Sequence, residues 1–121
     1  MSNPIVGPPN GDERSFAFLD GDLQNQLIAL VKRAGISHRI DKKGVIHYRS
    51  ADEQVMGNEL ICSIRSKVFT RWQTLSCPED WVGRYRGYME RRRIPFVEEL
   101  HDGDVGFLLS QEFRPHSWKR I

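Results

Sequence analysis

The chain has 121 residues, of which 39% are hydrophobic and 28% are charged, and its net charge is only +2. This size and composition are typical of one globular domain that buries its own core, so disordered and fibrous proteins are excluded. No apolar run approaches the roughly 20 residues that a membrane-spanning helix needs, and we expect no membrane partner. So small a net charge is not typical of a protein that binds polyanions.

The cysteines and the N-terminus bear on the compartment. Cys62 and Cys77 show no C-x-x-C spacing, which indicates thiols in a reducing environment. Residues 1–7 contain neither the basic nor the apolar stretch of a secretory signal. We therefore expect a cytoplasmic protein.

Composition divides the chain into three parts. Residues 1–14 are rich in proline and glycine and read as a flexible N-terminal arm. Residues 15–112 carry the periodic apolar pattern of a single α+β domain. Residues 113–121 form a basic-aromatic C-terminal tail, and the sequence leaves open whether this tail packs on the domain or is a binding arm.

The first half of the domain predicts a strand, a helix and a hairpin. A strand over 15–19 precedes Asp20, which caps a helix with an apolar stripe that ends at Gly35. A hairpin over 36–50 then turns around 41–44. A two-residue loop would pair His38 with His47, whereas a three-residue loop with Gly44 as a bulge puts the apolar residues on one face. The apolar match favours the bulge and puts the two histidines on opposite faces.

The second half is predicted to repeat this order after a middle helix. Ser50-x-x-Glu53 predicts a capping box at the start of that helix, with Met56, Leu60 and Ile64 in its apolar stripe, although residues 60–64 could alternatively be a strand. A strand over 69–75 and a second capping box at Ser76-x-x-Glu79 lead into a helix that ends at 91–93. Another hairpin follows around 101–104. The order predicts a βαββ-α-βαββ pseudo-repeat, folded as a ferredoxin-like two-layer sandwich with about three helices on one sheet.

Catalytic and metal-binding patterns are not visible in the sequence. Phosphate loops, dinucleotide fingerprints, nucleophile elbows and zinc-protease motifs are absent, so we expect no cofactor and no catalytic residue. Glu98 and Glu99 are neighbours in a strand, so they should point to opposite faces and form no acid–base pair. The residues that an enzyme would use are Cys77, in a first helical turn, and His101, in the acidic turn. We expect no metal site, because that turn lacks the further ligands of a calcium loop.

Charge is segregated along the chain. Residues 61–93 contain eight basic and three acidic residues, residues 94–113 contain five acidic and no basic residues, and the tail is basic. Such blocks suit an oppositely charged partner, and arginine and tryptophan are the residue types that dominate interface energetics. The candidate partner-binding residues are Arg84, Arg86, Arg91, Arg92, Arg93, Glu98, Glu99, Asp102, Asp104, Arg114, Trp118, Lys119 and Arg120.

The sequence therefore predicts a small non-catalytic interaction protein, such as an inhibitor, an immunity-type protein or a regulatory partner, that binds another protein through charged surfaces. The first alternative is an RNA- or DNA-binding module that uses the Arg/Tyr-rich helix 78–93 and the basic tail. The second alternative is a small oligomeric enzyme with a site near Cys77 or His101. Oligomeric state and partner identity are left open by the sequence.

Overall fold

A computed structural model describes residues 12–113, which form one antiparallel six-stranded sheet with three α-helices, an α+β fold. No helix within this range is long and apolar enough to cross a membrane. The elements are β1 Glu13–Phe18, α1 Gly21–Ala34, β2 His38–Ile40, β3 Ile46–Arg49, a 3₁₀ turn Ser50–Asp52, a π-helix Gln54–Ile61, α2 Cys62–Val68, β4 Trp72–Ser76, a 3₁₀ turn Glu79–Trp81, α3 Val82–Arg91, β5 Phe96–His101 and β6 Asp104–Ser110.

The strand order is β2-β3-β1-β5-β6-β4, and every neighbouring pair is antiparallel. The first half (β2-β3-β1) and the second half (β5-β6-β4) therefore have the same order, but equivalent strands run in opposite directions. Strand–helix–strand crossovers are almost always right-handed. Reversing the strand direction while keeping the order then moves the crossover helix to the other face of the sheet.

Core packing shows the helices on both faces, so the predicted two-layer sandwich with all helices on one face is wrong. Leu108 of β6 packs in a core with Leu27 of α1 and Ile64 of α2. Its neighbour in the strand, Phe107, packs in a second core with Met89 of α3. Successive side chains of a strand point to opposite faces, so α1 and α2 cover one face and α3 covers the other.

The first half folds as its sequence predicts. Asp20 accepts a hydrogen bond from the amide of Leu23 at 3.0 Å and so caps α1, and Gly35 ends the helix with φ of 73°. In the hairpin, His38 pairs with Tyr48, and Gly44 has φ of 85°. This is the register with the glycine bulge, and it puts His38 and His47 on opposite faces as expected.

Both predicted capping boxes are wrong. Neither Ser50 nor Ser76 caps a helix: the segment from Ser50 starts as a 3₁₀ turn without a side-chain cap, and Ser76 is the last residue of β4. The Glu53 carboxylate is occupied elsewhere, because it accepts a hydrogen bond from Tyr48 Oη at 2.5 Å. Residues 60–64 are helical, which settles the helix-or-strand ambiguity.

The π-helix changes which side chains of the middle segment face the core. Met56 and Ile61 are buried, five residues apart, whereas Leu60 is only half-buried. Five residues is the spacing of a π-helix hydrogen bond, so the wider turn rotates Ile61 into the position that the α-helical period assigns to Leu60.

Gly57 lies in the π-helix where a methyl group would overlap Glu53 Oε2. We expect Gly57→Ala to lower the free energy of unfolding by about 1–3 kcal/mol, because Glu53 would have to leave Tyr48. This reverses the usual gain of about 1 kcal/mol from alanine in a helix. Urea denaturation measures the change. Gly83→Ala is the matched control, because nothing lies within 4 Å of its added Cβ; equal stabilisation of both variants would contradict the prediction.

The described strands and core extend a few residues beyond the range 15–112 at both ends. β1 begins at Glu13, two residues inside the expected N-terminal arm, and Asp12 accepts a backbone hydrogen bond from Ser50 at 2.7 Å. Phe113, expected as the first residue of the tail, packs against the second core. Residues 1–11 and 114–121 lie outside the described residues.

The acidic hairpin is a two-residue turn at the end of two long strands. Asp102 and Gly103 have φ of 52° and 88°, and His101 pairs with Asp104. Two successive positive φ values are typical of a type I′ turn, for which Asp-Gly is a preferred sequence. The turn interpretation of this segment is confirmed. β6 lies between β5 and β4, and its residues 107–109 are buried, which is typical of a central strand covered on both faces.

Candidate functional site

An open cleft of about 590 Å³ lies over β5, β6 and β4, on the face of the sheet opposite α3. The second half leaves this face uncovered because its own helix lies on the other side. The cleft is lined by Arg14, Arg65, Thr74, Ser76, Cys77, Pro78, Glu79, Glu99, His101, Asp102, Asp104 and Gly106. It brings together four residues that the sequence analysis singled out in the acidic hairpin, Glu99, His101, Asp102 and Asp104, with two arginines that it did not, Arg14 and Arg65.

One wall of the cleft is a buried ion pair between α2 and β5. Arg65 donates two hydrogen bonds to Glu99, from Nε at 2.9 Å and from Nη2 at 2.7 Å. Glu99 is 3% exposed, and the Arg65 guanidinium lies 5.0 Å from the ring centroid of Trp72. A bidentate pair held this way fixes α2 against the sheet. Glu99 is therefore an internal residue, and both of its carboxylate oxygens are held by Arg65.

A second network connects β1 to the acidic turn. Arg14 Nη2 donates to Asp102 Oδ2 at 2.8 Å, and Arg14 Nε lies 3.5 Å from Glu53 Oε1. Asp102 also accepts from the amide of Ser15 at 3.0 Å. Burial and the hydrogen bond to Glu53 both raise the pKa of Tyr48, so its hydroxyl stays protonated and donates. Asp102 thus fastens the hairpin to β1, which limits its availability to a partner.

Asp102 makes the stability of the protein sensitive to acid. Burial acts to raise its pKa, but hydrogen bonds from the Ser15 amide and Arg14 outweigh burial, so the pKa lies below its ordinary value. A lowered carboxyl pKa stabilises the fold fully above the ordinary value of about 3.9, and this contribution is lost as pH falls through the folded-state pKa.

We therefore expect Asp102→Asn to flatten the fall in unfolding free energy on the acid side. Asparagine tolerates the positive φ and can still accept from Ser15, so only the charge is removed. The measurement is urea denaturation at a series of pH values from neutral to acidic. Asp104→Asn, which removes the same charge from the other side of the turn, is the control and should leave the acid slope as in the wild type. Equal slopes in the wild type and Asp102→Asn would refute the assignment.

The two residues named for an enzyme both line the cleft, but the thiol is not activated. Burial first, and then the charge of Glu98, raises the pKa of Cys77, against a smaller opposing effect of Arg86. Cys77 also packs against the second core, on the α3 side. Arg14 Nη2 lies 3.3 Å from His101 Nε2, which puts an arginine N–H on that ring nitrogen. A raised thiol pKa disfavours the thiolate that a nucleophile needs.

The predicted basic and acidic residues divide into internal and exposed groups. Arg86 and Glu98 form an ion pair across α3 and β5, with a second contact at 3.1 Å, and so neutralise each other within the fold. Glu98 and Glu99 point to opposite faces, as expected. Asp104 is exposed at the cleft rim. The predicted tail residues Arg114, Trp118, Lys119 and Arg120 lie outside the described residues.

The remaining arginines form what we call the arginine surface, defined as Arg84, Arg91, Arg92 and Arg93 at the exposed side and C-terminal end of α3. All four are exposed, and none forms an ion pair with a carboxylate in the region 12–113. The guanidinium of Arg84 lies 4.8 Å from the Trp81 ring centroid, and that of Arg92 lies 5.3 Å from the Tyr88 centroid. Stacking on a ring orients the N–H edges of a guanidinium without neutralising its charge.

No cluster of metal ligands occurs among residues 12–113. His47 instead bridges two carboxylates, with Nε2 2.9 Å from Asp41 Oδ2 and Nδ1 3.2 Å from Glu13 Oε1. The hydrogen bond from His47 lowers the pKa of Asp41. His38 lies on the other face, where Nδ1 is 2.6 Å from the carbonyl oxygen of Ile36. These histidines stabilise the β2–β3 hairpin.

Arg14 and Arg65 are the site residues that sequence reasoning missed, and each left a signal. Arg14 is two residues before Phe16 and four before Phe18, and alternate residues of a strand share a face. Extending the first strand by two residues therefore puts Arg14 on the core face. The signal for Arg65 lies in its partner. Glu99 is two residues from Val97, which packs against the core, so both point to the same face of β5, and a carboxylate on a buried face requires a cation.

No protein family, curated protein or solved structure matches this chain in the three comparisons.

Proposed function

We propose that this chain is a small non-catalytic interaction domain that binds an acidic surface of another protein through the arginine surface. The observation that carries the proposal is an imbalance in ion pairing. The carboxylates of the acidic hairpin are largely used internally, by Arg86, Arg65 and Arg14, whereas the four arginines of α3 lack carboxylate partners within the described residues. An inhibitor, immunity-type or regulatory protein is the class that this surface suits.

The aromatic contacts favour a protein partner over nucleic acid. Single-stranded nucleic acid binds by stacking bases on open aromatic faces. Arg84 and Arg92 already cover Trp81 and Tyr88, and Tyr85 contacts Phe107 at a centroid distance of 6.5 Å. The groups that α3 presents are guanidinium N–H edges, which bind carboxylates in pairs.

The test compares two probes of equal charge, a 20-residue polyglutamate and a 21-nucleotide oligothymidine, by fluorescence anisotropy over a series of salt concentrations. We expect polyglutamate to bind with an affinity that falls with salt, and oligothymidine to bind no more tightly. The variant Arg84→Gln/Arg91→Gln/Arg92→Gln should weaken binding of polyglutamate by about tenfold or more. Arg86 is left intact because it stabilises the fold.

The control variant is Lys32→Gln/Arg33→Gln/Lys43→Gln, which removes three exposed charges from α1 and the β2–β3 turn. It should retain most of the binding. An equal loss in both variants would show attraction by net charge alone and would refute the proposal. Oligothymidine binding that is tenfold tighter than polyglutamate binding would favour the nucleic-acid alternative.

We also propose that the two halves of the fold form a pseudo-repeat and that the protein is cytoplasmic. The shared strand order of the two halves supports a βαββ pseudo-repeat. The two free cysteines support a cytoplasmic location.

A further inference from the structure

β4 is an edge strand that lacks the usual protection of an edge. It is last in the strand order, and within residues 12–113 it pairs with β6 alone. Its sequence, Trp72-Gln73-Thr74-Leu75-Ser76, contains no charge and no proline. Natural proteins blunt such edges with lysine, proline, bulges or very short strands, because an open edge is a template for pairing.

The other edge of the sheet shows that protection. β2 has three residues, carries Arg39 at its centre, and is followed by Lys42 and Lys43 in the turn. The contrast between the two edges indicates that pairing is avoided at β2 and accommodated at β4.

The hydrogen-bond pattern defines which backbone groups of β4 face outward. The amide of Gln111 donates to the carbonyl of Arg71 at 3.0 Å, so Arg71 directs its polar groups toward β6. Backbone direction alternates along an antiparallel strand. Gln73 and Leu75 therefore also bond to β6, whereas Trp72, Thr74 and Ser76 direct their N–H and C=O groups away from it.

This pattern is self-complementary. If two copies of β4 meet antiparallel with Thr74 at the two-fold axis, Thr74 pairs with Thr74 of the second copy, and Trp72 pairs with Ser76 of the second copy. All three residues have outward backbone groups, so each of these pairs can exchange two hydrogen bonds. The five residues of β4 carry no charge, so two copies meet there without repulsion. Thr74, at the centre of this pairing, is exposed.

We propose that a second copy of this chain occupies the β4 edge, giving a two-fold dimer with one continuous twelve-stranded sheet. A two-fold contact uses the same surface on both copies and closes on itself, so it covers the edge without further growth. The arginine surface takes no part in this contact, and the two proposals stand or fall separately.

The test measures mass and amide exchange of the full chain. Sedimentation over a concentration series should show a species of twice the 14.1 kDa chain mass. Hydrogen exchange at high protein concentration should protect the amides of Trp72, Thr74 and Ser76, and dilution should release them. The amides of Gln73 and Leu75 should stay protected at all concentrations because β6 holds them.

Thr74→Lys should raise the dimer dissociation constant by about tenfold or more, because it puts two like charges directly opposite each other. Thr74→Pro removes an amide that β6 does not use and should abolish the dimer. Gln26→Lys on α1 adds the same charge elsewhere and is the control. Circular dichroism of both Thr74 variants checks that each monomer is still folded, so that loss of the dimer is distinguished from loss of the fold.

A monomer at every concentration would overturn the proposal, whether the Thr74 amide exchanges freely or not. Protection of that amide in a monomer would show instead that another part of the same chain covers the edge. A dimer that survives Thr74→Pro would overturn it as well, since its interface would lie elsewhere.

Discussion

Replacing Arg65 by methionine is expected to lower the free energy of unfolding by about 3–5 kcal/mol. Methionine retains much of the packing against Phe16 and Trp72 but leaves the carboxylate of Glu99, whose side chain is 4% exposed, without its cation. An unpaired buried charge costs far more than a salt bridge contributes. Urea denaturation at neutral pH measures the loss.

Glu99→Gln should cost less, about 1–3 kcal/mol, because Arg65 borders the open cleft and can turn its guanidinium toward water. The double variant Arg65→Met/Glu99→Leu should recover most of the loss, since it buries two apolar side chains in place of two charges. A double variant as unstable as Arg65→Met alone would show that packing of Arg65, rather than the unpaired charge, determines the effect.

The neighbouring ion pair supplies the control. Arg86 on α3 pairs with Glu98, the neighbour of Glu99 in β5, on the opposite face of the sheet, and the Arg86 side chain is 44% exposed. The carboxylate left behind, Glu98, is 12% exposed against 4% for Glu99, and solvent screens the exposed Arg86, so Arg86→Met should cost less than Arg65→Met. A similar cost for Arg65→Met would contradict the predicted role of burial.

Phe107→Ala is expected to lower the free energy of unfolding by about 3–5 kcal/mol, because it leaves a cavity at the centre of the second core. Phe107 is fully buried there and contacts the ring of Phe96 at a centroid distance of 5.6 Å. α3 is held through this core by Val82 and Met89. Denaturation gives the total loss, and hydrogen exchange gives its distribution.

Exchange should distinguish the two faces of the sheet. Phe107→Ala should release the amides of α3 before those of α1, whereas Leu108→Ala, one residue along the strand, should release α1 and α2 first. If both variants release the same helix, the assignment of the helices to opposite faces is wrong. Wild-type protein in native buffer gives the reference order.

Local structure was predictable from the sequence where a single residue determines a helix cap or a turn. Asp20, Gly35 and Gly44 each determine a cap or turn through their own side chain or backbone freedom, and all three predictions are confirmed. The first capping box failed because a motif of four residues does not reveal a competing partner for its glutamate. Glu53 binds the hydroxyl of Tyr48, which is local in sequence, and Arg14, which is not.

Placement of α3 and composition of the cleft were not predictable for a different reason. The helical spacing of apolar residues predicts that α3 has a buried side, but it does not indicate which face of the sheet that side covers. That face depends on the direction of β4 relative to β1, which is set by the long-range pairings of β5 with β1 and β6. The segregation of charge along the sequence was real, but ion pairs within the fold neutralise Arg86, Glu98 and Glu99.

The pairing of β1 with β5 has a consequence for the rate of folding. It puts Phe16 opposite His101, so the two halves of the sheet are joined by residues from nearly opposite ends of the described chain. Closing a loop of that length costs conformational entropy before the contact stabilises anything, and chains rich in such contacts fold slowly. The cleft, whose walls include Arg14 and Asp102, is assembled across this junction. It therefore forms late, after each half has built its local helix and hairpin.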